Sequence, residues 1–207
     1  MCLRFWLPCL MTAFLSVTPA MATEEPKYTV IEKTDDFELR AYSPMIIAET
    51  FVTGSLEKAS GDGFRLIADY IFGNNKSRTG SSEKISMTTP VTMKPKSEKI
   101  SMTAPVSMQE AEGKWRMHFV MPSKYTLDTL PEPNNKAVNL RELPAKRFAV
   151  VRFSGLAGEA KTAQKTKELL AWMSSKNIEP IGTPELARYN PPWTLPFLRR
   201  NEVMVEY

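Results

Sequence analysis

A segment of this chain occurs twice, about 101 residues apart, and this internal repeat limits the folds that the chain can adopt. Residues 143–155 superpose on residues 42–54, which places Ala149 on Ala48 and Ser154-Gly155 on Thr53-Gly54. Two units of strand, strand, helix, strand predict a pseudo-symmetric α+β domain, because a solenoid needs three or more repeats. We therefore expect one curved antiparallel sheet, or distorted antiparallel β-barrel, that carries two helices.

Local patterns indicate where these elements lie. Residues 28–33, 37–42 and 45–52 are strand-like, and the turn residues between them favour antiparallel hairpins. The first helix follows Gly54 and ends at Gly73-Asn74-Asn75. Its apolar face is formed by Phe64, Ile67, Ala68, Ile71 and Phe72. The second helix is predicted over residues 159–175, with an apolar face of Ala163, Thr166, Leu169, Leu170 and Met173.

A shorter repeat lies between the two halves. Residues 83–93 recur as residues 98–108, and apolar and polar residues alternate within each copy. Each copy predicts a strand, the two together predict a long hairpin, and Pro90 and Pro105 favour edge or bulged positions. We interpret the repeated methionines as lining of a core or groove, with a Cu(I) site of soft thioethers as the alternative. They are Met87, Met93, Met102 and Met108.

The first 22 residues have the features of a secretory signal peptide. Arg4 precedes an apolar run over residues 5–17, and Ala20-Met21-Ala22 supplies a small-residue cleavage pattern. We expect cleavage after Ala22, a single mature domain over residues 23–207, and a periplasmic or secreted location. We expect no stable membrane insertion after cleavage.

The mature chain would contain no cysteine, because Cys2 and Cys9 both precede the cleavage site. Its fold must then depend on a hydrophobic core rather than on disulfides. Removing Arg4 leaves 26 basic (27 − 1) and 23 acidic residues, a net charge of +3. This small and scattered charge argues against nucleic-acid binding.

Catalytic motifs are missing from the sequence. It has no cysteine nucleophile, no glycine-rich phosphate loop, and one histidine, His118, outside any nucleophile motif. We predict no catalytic residues, no metal centre and no enzymatic activity. His118 lies in a predicted strand over residues 115–121, in which Met117 and Phe119 would point inward and His118 outward, as a surface or hydrogen-bonded histidine. Trp172 and Trp193 are interpreted as packing residues, with the rim of a groove as the alternative for Trp193.

Several distinctive motifs are spread over the mature chain. They are FELRAY at 37–42, residues 63–75, KISMTTPV at 84–91 with its copy, FVMP at 119–122, FSG at 153–155, YNPP at 189–192 and RRNE at 199–202. Together they resemble the motifs of the SOUL haem-binding family. The resemblance implies a distorted antiparallel β-barrel with two helices, and binding of haem or a related tetrapyrrole in an apolar groove beside the first helix. A haem or porphyrin carrier or buffer is thus the expected function.

The resemblance places the groove lining on Phe64 and Ala68, with Ile67 and Ile71 on the same helix face. The flanking positions that are basic in the family fall on Gly61 and Asp69, and a carboxylate would repel a haem propionate. His118 is a second candidate, as an axial ligand of haem iron.

For the RRNE motif we favour a charged turn that pairs internally, with propionate binding by Arg199 or Arg200 as the minority alternative. The alternative function for the whole domain is a non-haem small-effector or protein-interaction module on the same fold, without catalysis.

Overall fold

The computed structural model describes residues 24–77, 80–95 and 114–207. The predicted signal peptide, both cysteines and the second copy of the short repeat lie outside these ranges. The described elements are, in chain order, β1 (Tyr28–Thr34), β2 (Phe37–Tyr42), β3 (Met45–Thr53), α1 (Leu56–Ile71), β4 (Asn75–Lys76), β5 (Val91–Pro95), β6 (Lys114–Val120), β7 (Glu132–Pro133), β8 (Asn139–Leu143), β9 (Lys146–Phe153), α2 (Glu159–Ser175), β10 (Glu185–Arg188) and β11 (Asn201–Glu206).

Nine of these strands form one antiparallel sheet in the order β1-β2-β9-β11-β10-β5-β6-β3-β8, and β4 pairs with β7 separately. The order is nearly symmetric about the contact between β10 and β5. β3 pairs with β6 and β8, while the equivalent β9 pairs with β11 and β2. The predicted α+β fold with an internal pseudo-two-fold repeat is therefore confirmed, as a curled half-barrel sheet with two helices.

The repeated segments adopt the same local structure. Ala48 and Ala149 are both fully buried in the middle of their strands. Gly54 and Gly155, which follow those strands, both have positive φ angles, of 113° and 99°. Glycine is suited to both turns because it adopts this conformation without a side-chain clash.

The hairpin prediction is correct for β1 and β2 but wrong for β2 and β3. β2 pairs with β9 and β3 pairs with β8, so both of these strands take a partner from the second half of the chain. Sequence proximity favours hairpins, but here the pseudo-two-fold arrangement decides the pairing.

Both helices pack on one face of the sheet, the helix face, and form the main core there. The Ser55 side chain caps α1 by accepting a hydrogen bond from the Lys58 backbone. Ile67 and Ile71 of α1 and Leu169 and Met173 of α2 are fully buried. Four residues of the predicted apolar faces are instead exposed, because they lie on sides of the helices that reach beyond the sheet: Phe64, Phe72, Ala163 and Leu170.

The first copy of the short repeat is a strand only over β5. The strand prediction fails over residues 83–90, because backbone groups there bond to other parts of the fold. The Ile85 amide donates to the Ile71 carbonyl at 2.8 Å, and the Thr89 amide donates to the Glu24 carbonyl at 3.0 Å. The edge or bulged position inferred from Pro90 is also wrong, since Pro90 lies just before β5 and β5 is an inner strand between β10 and β6. Met93 is buried in the core, as predicted.

No helix among the described residues is long and apolar enough to span a bilayer.

Candidate ligand-binding site

The sheet separates two surfaces that could hold a ligand. Alternate residues of β6 point to opposite sides: Met117 and Phe119 belong to the core on the helix face. Arg116, His118 and Val120 line a cavity on the other side. We call this second side the inner face, because the sheet curls so that strands near both of its ends line the cavity.

One side of α1 carries a stripe of apolar residues that the core does not fully cover. Phe64 is 38% exposed, Ala68 is 6% exposed and Phe72 is 59% exposed. These residues are four apart and therefore follow one another along the helix surface. We call the stripe of Phe64, Ala68 and Phe72 the α1 flank.

The α1 flank is supported by packing of the helix against the sheet. The ring centroids of Phe64 and the buried Phe119 are 5.5 Å apart, a separation typical of aromatic pairs. The helix approaches the sheet closely at the preceding residue: a methyl group on Gly63 would lie 2.9 Å from the sulfur of Met117. The Phe64 ring is therefore held by packing while more than a third of its surface remains open.

A cation lies along the same side of the helix. Arg65 is three residues before Ala68 and seven before Phe72, and its side chain is 76% exposed. It pairs with Asp62, which also pairs with Lys58. Such exposed pairs are weak, so Arg65 can exchange this partner for an anionic ligand. The resemblance-based alignment missed Arg65 because it considered only Gly61 and Asp69 as flanking positions.

The predicted groove residues thus occupy different depths. Ile67 and Ile71 have no exposed surface and Ala68 almost none, so Phe64 and Phe72 offer the accessible apolar area. The role of all these residues in ligand binding stays a prediction.

A cavity of about 100 Å³ lies on the inner face, and a second of about 220 Å³, lined by residues of both faces, adjoins it. They share the lining residues Pro26, Met45 and Val120. The smaller one also has apolar walls from Phe148, Leu143 and Met204. Both are smaller than the roughly 300–1,000 Å³ that encloses a drug-sized ligand. A tetrapyrrole would therefore not be enclosed there.

A network of ion pairs surrounds the smaller cavity. Glu185 binds Lys94 at 3.1 Å and Arg116 at 3.3 Å. Glu49 binds Arg141 at 3.0 Å and lies 3.7 Å from Arg116. Both carboxylates are buried, and their pairing with these cations offsets part of the cost of desolvation.

His118 lies within this network and is 6% exposed. The prediction that it points away from Met117 and Phe119 is correct, but the prediction that it lies on the protein surface is wrong. The curled sheet buries the face that a flat sheet would expose. Burial lowers the pKa of His118 to about 4, against the opposing effect of Glu185. The imidazole is therefore neutral at pH 7, and its Nδ1 atom has no hydrogen-bond partner in the described structure.

A second ionic cluster on the inner face joins two of the family-like motifs. Arg40 of FELRAY donates two hydrogen bonds to Glu202 of RRNE, at 2.8 and 3.1 Å. Tyr189 donates a third at 2.7 Å. Burial by itself would raise the pKa of Glu202, but these bonds and the charges of Arg40 and Arg200 outweigh burial and lower it. Arg200 also pairs with Glu202, as predicted for this motif.

The structure does not bring the two groups of candidate residues together. The α1 flank rests on the helix face, whereas His118 faces the inner cavity on the other side of the sheet. One tetrapyrrole stacked on Phe64 cannot also be ligated by His118. In the described part of the chain, no group of three or more His, Cys, Asp or Glu side chains could hold a metal ion.

Solved structures with this fold come from several kinds of protein. The chain is similar to the C-terminal domain of EcmrR, with a TM-score of 0.56, 11% identity and coverage of 86% of this chain and 96% of that chain. It is also similar to an uncharacterized conserved protein from Listeria innocua (TM-score 0.56, 11% identity, 82% and 91% coverage). A hydrolase from Listeria innocua is another match (TM-score 0.53, 10% identity, 84% and 93% coverage). At these identities the likeness shows the fold alone.

No curated protein matches the sequence significantly. The model of the SOUL heme-binding protein family matches two regions, residues 23–98 and 94–206. Each region contains one copy of the short repeat, and together they cover nearly the whole described structure. The chain therefore belongs to the SOUL haem-binding protein family.

Proposed function

We propose that this protein binds haem or a related tetrapyrrole on the α1 flank and acts as a carrier or buffer outside the cytoplasm. The observation that carries the proposal is the exposed Phe64 ring, packed on Phe119 along the first helix of a haem-binding family member. The extracytoplasmic location rests on the predicted signal peptide. Sequencing of the N-terminus of the mature protein tests it, with Thr23 as the expected first residue.

The α1 flank suits a flat apolar ligand. One face of the macrocycle would cover Phe64 and Phe72, and aromatic contacts of this kind contribute about 0.5–1.5 kcal/mol beyond the area that they bury. Arg65 would pair with a propionate. Bound haem supplies redox-active iron, while this chain holds the macrocycle through its apolar face. Because one side of the ligand stays open to water, we expect a dissociation constant in the micromolar range.

Titration of the chain from residue 23 with haemin tests the proposal. We expect a saturable one-to-one shift of the haemin absorption band. Phe64→Ser should weaken binding about tenfold, since it removes both the aromatic contact and apolar area. Leu127→Ser is the matched control, because Leu127 has a similar exposure of 40% but lies in another part of the chain. A non-saturating change in the wild type would refute haem binding.

The same titration distinguishes the two candidate sites. His118→Ala should leave binding on the α1 flank unchanged. If His118→Ala abolishes the shift and Phe64→Ser does not, the ligand binds at the inner face and the proposed site is wrong.

A small effector in the inner cavity is the second candidate function. The two neighbouring cavities, with apolar walls and an ion-pair network at one side, favour a ligand smaller than a tetrapyrrole. A screen of small amphipathic molecules by thermal shift would detect such a ligand. Val120→Trp, which fills the region that the two cavities share, should abolish a shift caused by binding there.

A further inference from the structure

A second exposed apolar surface lies far along the chain from the α1 flank. Five large apolar side chains surround the loop between β10 and β11, and each has more than half of its surface exposed. They are Trp193 (83%), Phe197 (69%), Leu156 (63%), Leu198 (62%) and Leu195 (56%). The packing role predicted for Trp193 is therefore wrong. We call these five residues the apolar tip.

The residues of the apolar tip come from two segments that lie next to each other. Four of its residues lie within the six positions 193–198. The fifth, Leu156, is brought next to them because the Gly155 amide donates to the Pro196 carbonyl at 2.9 Å. Single exposed apolar residues are common on soluble proteins, but a contiguous group of this size indicates an interaction surface.

The loop is held in shape from its base. The Arg199 side chain donates to the Thr194 carbonyl at 2.8 Å and also to the Pro192 carbonyl. The Arg200 amide donates to the Asn190 side chain at 2.6 Å. Three prolines within residues 190–198 further restrict the backbone. The exposed side chains are thus presented by a preformed loop, which lowers the entropic cost of binding.

Charge distinguishes between the partners that such a loop could meet. Residues 152–158 and 189–200 contain Arg152, Arg199 and Arg200 and no Asp or Glu. Arg200 is paired with Glu25 and Glu202, so Arg152 and Arg199 supply the uncompensated positive charge of these segments. An apolar surface with basic and no acidic neighbours in its own segments complements an anionic phospholipid bilayer. Tryptophan is also the side chain most typical of the membrane interface, where its ring is buried and its N–H group remains in contact with water.

We infer that the apolar tip inserts into the interface of an anionic phospholipid membrane and holds the protein there reversibly. The contact is interfacial, because the loop reaches the headgroup region without spanning the bilayer. This inference does not depend on tetrapyrrole binding.

Co-sedimentation with lipid vesicles tests the inference. The chain from residue 23 is used, since an apolar N-terminal segment would bind lipid by itself. We expect binding to vesicles of phosphatidylethanolamine and phosphatidylglycerol (3:1), weaker binding to phosphatidylcholine, and weakening by salt. Trp193→Ser with Phe197→Ser should reduce the partition coefficient at least about tenfold. Ile181→Ser with Leu127→Ser, two exposed residues outside the apolar tip, is the matched control and should bind like the wild type.

Trp193→Phe provides a second readout. It keeps an apolar ring and should still bind, while the quenching of tryptophan fluorescence by brominated lipid should fall strongly, because Trp115 and Trp172 lie outside the apolar tip. Equal vesicle binding by the Trp193→Ser/Phe197→Ser variant and the wild type would overturn the inference. A wild type that ignores vesicles but forms a dimer that this variant abolishes would identify a protein interface instead, and would also overturn it.

Discussion

The buried state of His118 predicts a specific dependence of stability on pH. The unfolded chain binds a proton at this side chain with a pKa near 6.5, whereas burial lowers the pKa to about 4 in the folded protein. Between these values the unfolded state binds more protons than the folded state. The free energy of unfolding must therefore fall as the pH falls from about 6.5 towards 4.

The magnitude follows from the two pKa values. Between pH 7 and pH 5, the His118 contribution falls by about 2 kcal/mol, which is a large part of the 5–15 kcal/mol typical of a domain. His118 is the only histidine in the chain, so it is the only imidazole that contributes to the difference in proton binding between the unfolded and folded states in this interval. The charged groups around it oppose one another, since Glu185 and Glu49 raise its pKa while Arg116 and Arg141 lower it.

Urea denaturation at pH 7 and pH 5 measures the effect. The wild type should lose about 2 kcal/mol between these conditions, and His118→Gln, which does not titrate, should lose less than about 0.5 kcal/mol. Each protein is compared with itself, so a constant loss of stability in the variant does not matter. An equal loss in both proteins, or an NMR titration that gives His118 a pKa above 6, would refute the buried neutral histidine.

Two further predictions concern the packing of the sheet. Arg40→Leu should lower the free energy of unfolding by about 3–5 kcal/mol in thermal or urea denaturation, because Glu202 is left buried without its main partner. The exposed Lys58–Asp62 pair provides the control: Lys58→Ala should lower the free energy of unfolding by less than about 1 kcal/mol. A similar loss of stability in both variants would contradict the account of Arg40 and Glu202 as a buried ion pair. Gly63→Ala should destabilise the protein by about 1–3 kcal/mol because the added methyl group meets Met117. Gly61→Ala, where a methyl group meets nothing within 4 Å, should stabilise the helix by about 1 kcal/mol, and a loss of stability there would contradict the packing described for α1.

The sequence was informative where structure follows from local pattern. The segment that recurs 101 positions later predicted the two-fold arrangement. The predicted bounds of α2 agree with the structure, because the apolar periodicity and the helix-end signals coincide there. Pairing was harder, because the partner of β2 is more than a hundred residues away. The Arg40–Glu202 pair shows the same difficulty: each residue belongs to a motif noticed separately, and only the fold brings them together across 162 positions.

The candidate site was predicted only in part, because burial and exposure also depend on distant parts of the chain. Apolar spacing placed Phe64 and Ala68 on one side of α1, but spacing does not show that Ile67 and Ile71 lie beneath the surface or that Phe72 lies above it. Alternation along β6 correctly separated His118 from Met117. It could not show that the sheet curls over its inner face, because curvature depends on strands from both halves. The exposure of Trp193 had no local signal either, since tryptophan in a proline-rich segment is compatible with packing.

Binding of metal-free protoporphyrin IX and of haemin, compared on the same protein, tests the central claim most directly. If the α1 flank holds the macrocycle by apolar contact, the chain from residue 23 should bind both ligands with dissociation constants within about threefold, and Phe64→Ser should weaken both by a similar factor. If haemin binds while protoporphyrin IX does not, iron ligation rather than the α1 flank holds the ligand, and the account of the site is wrong.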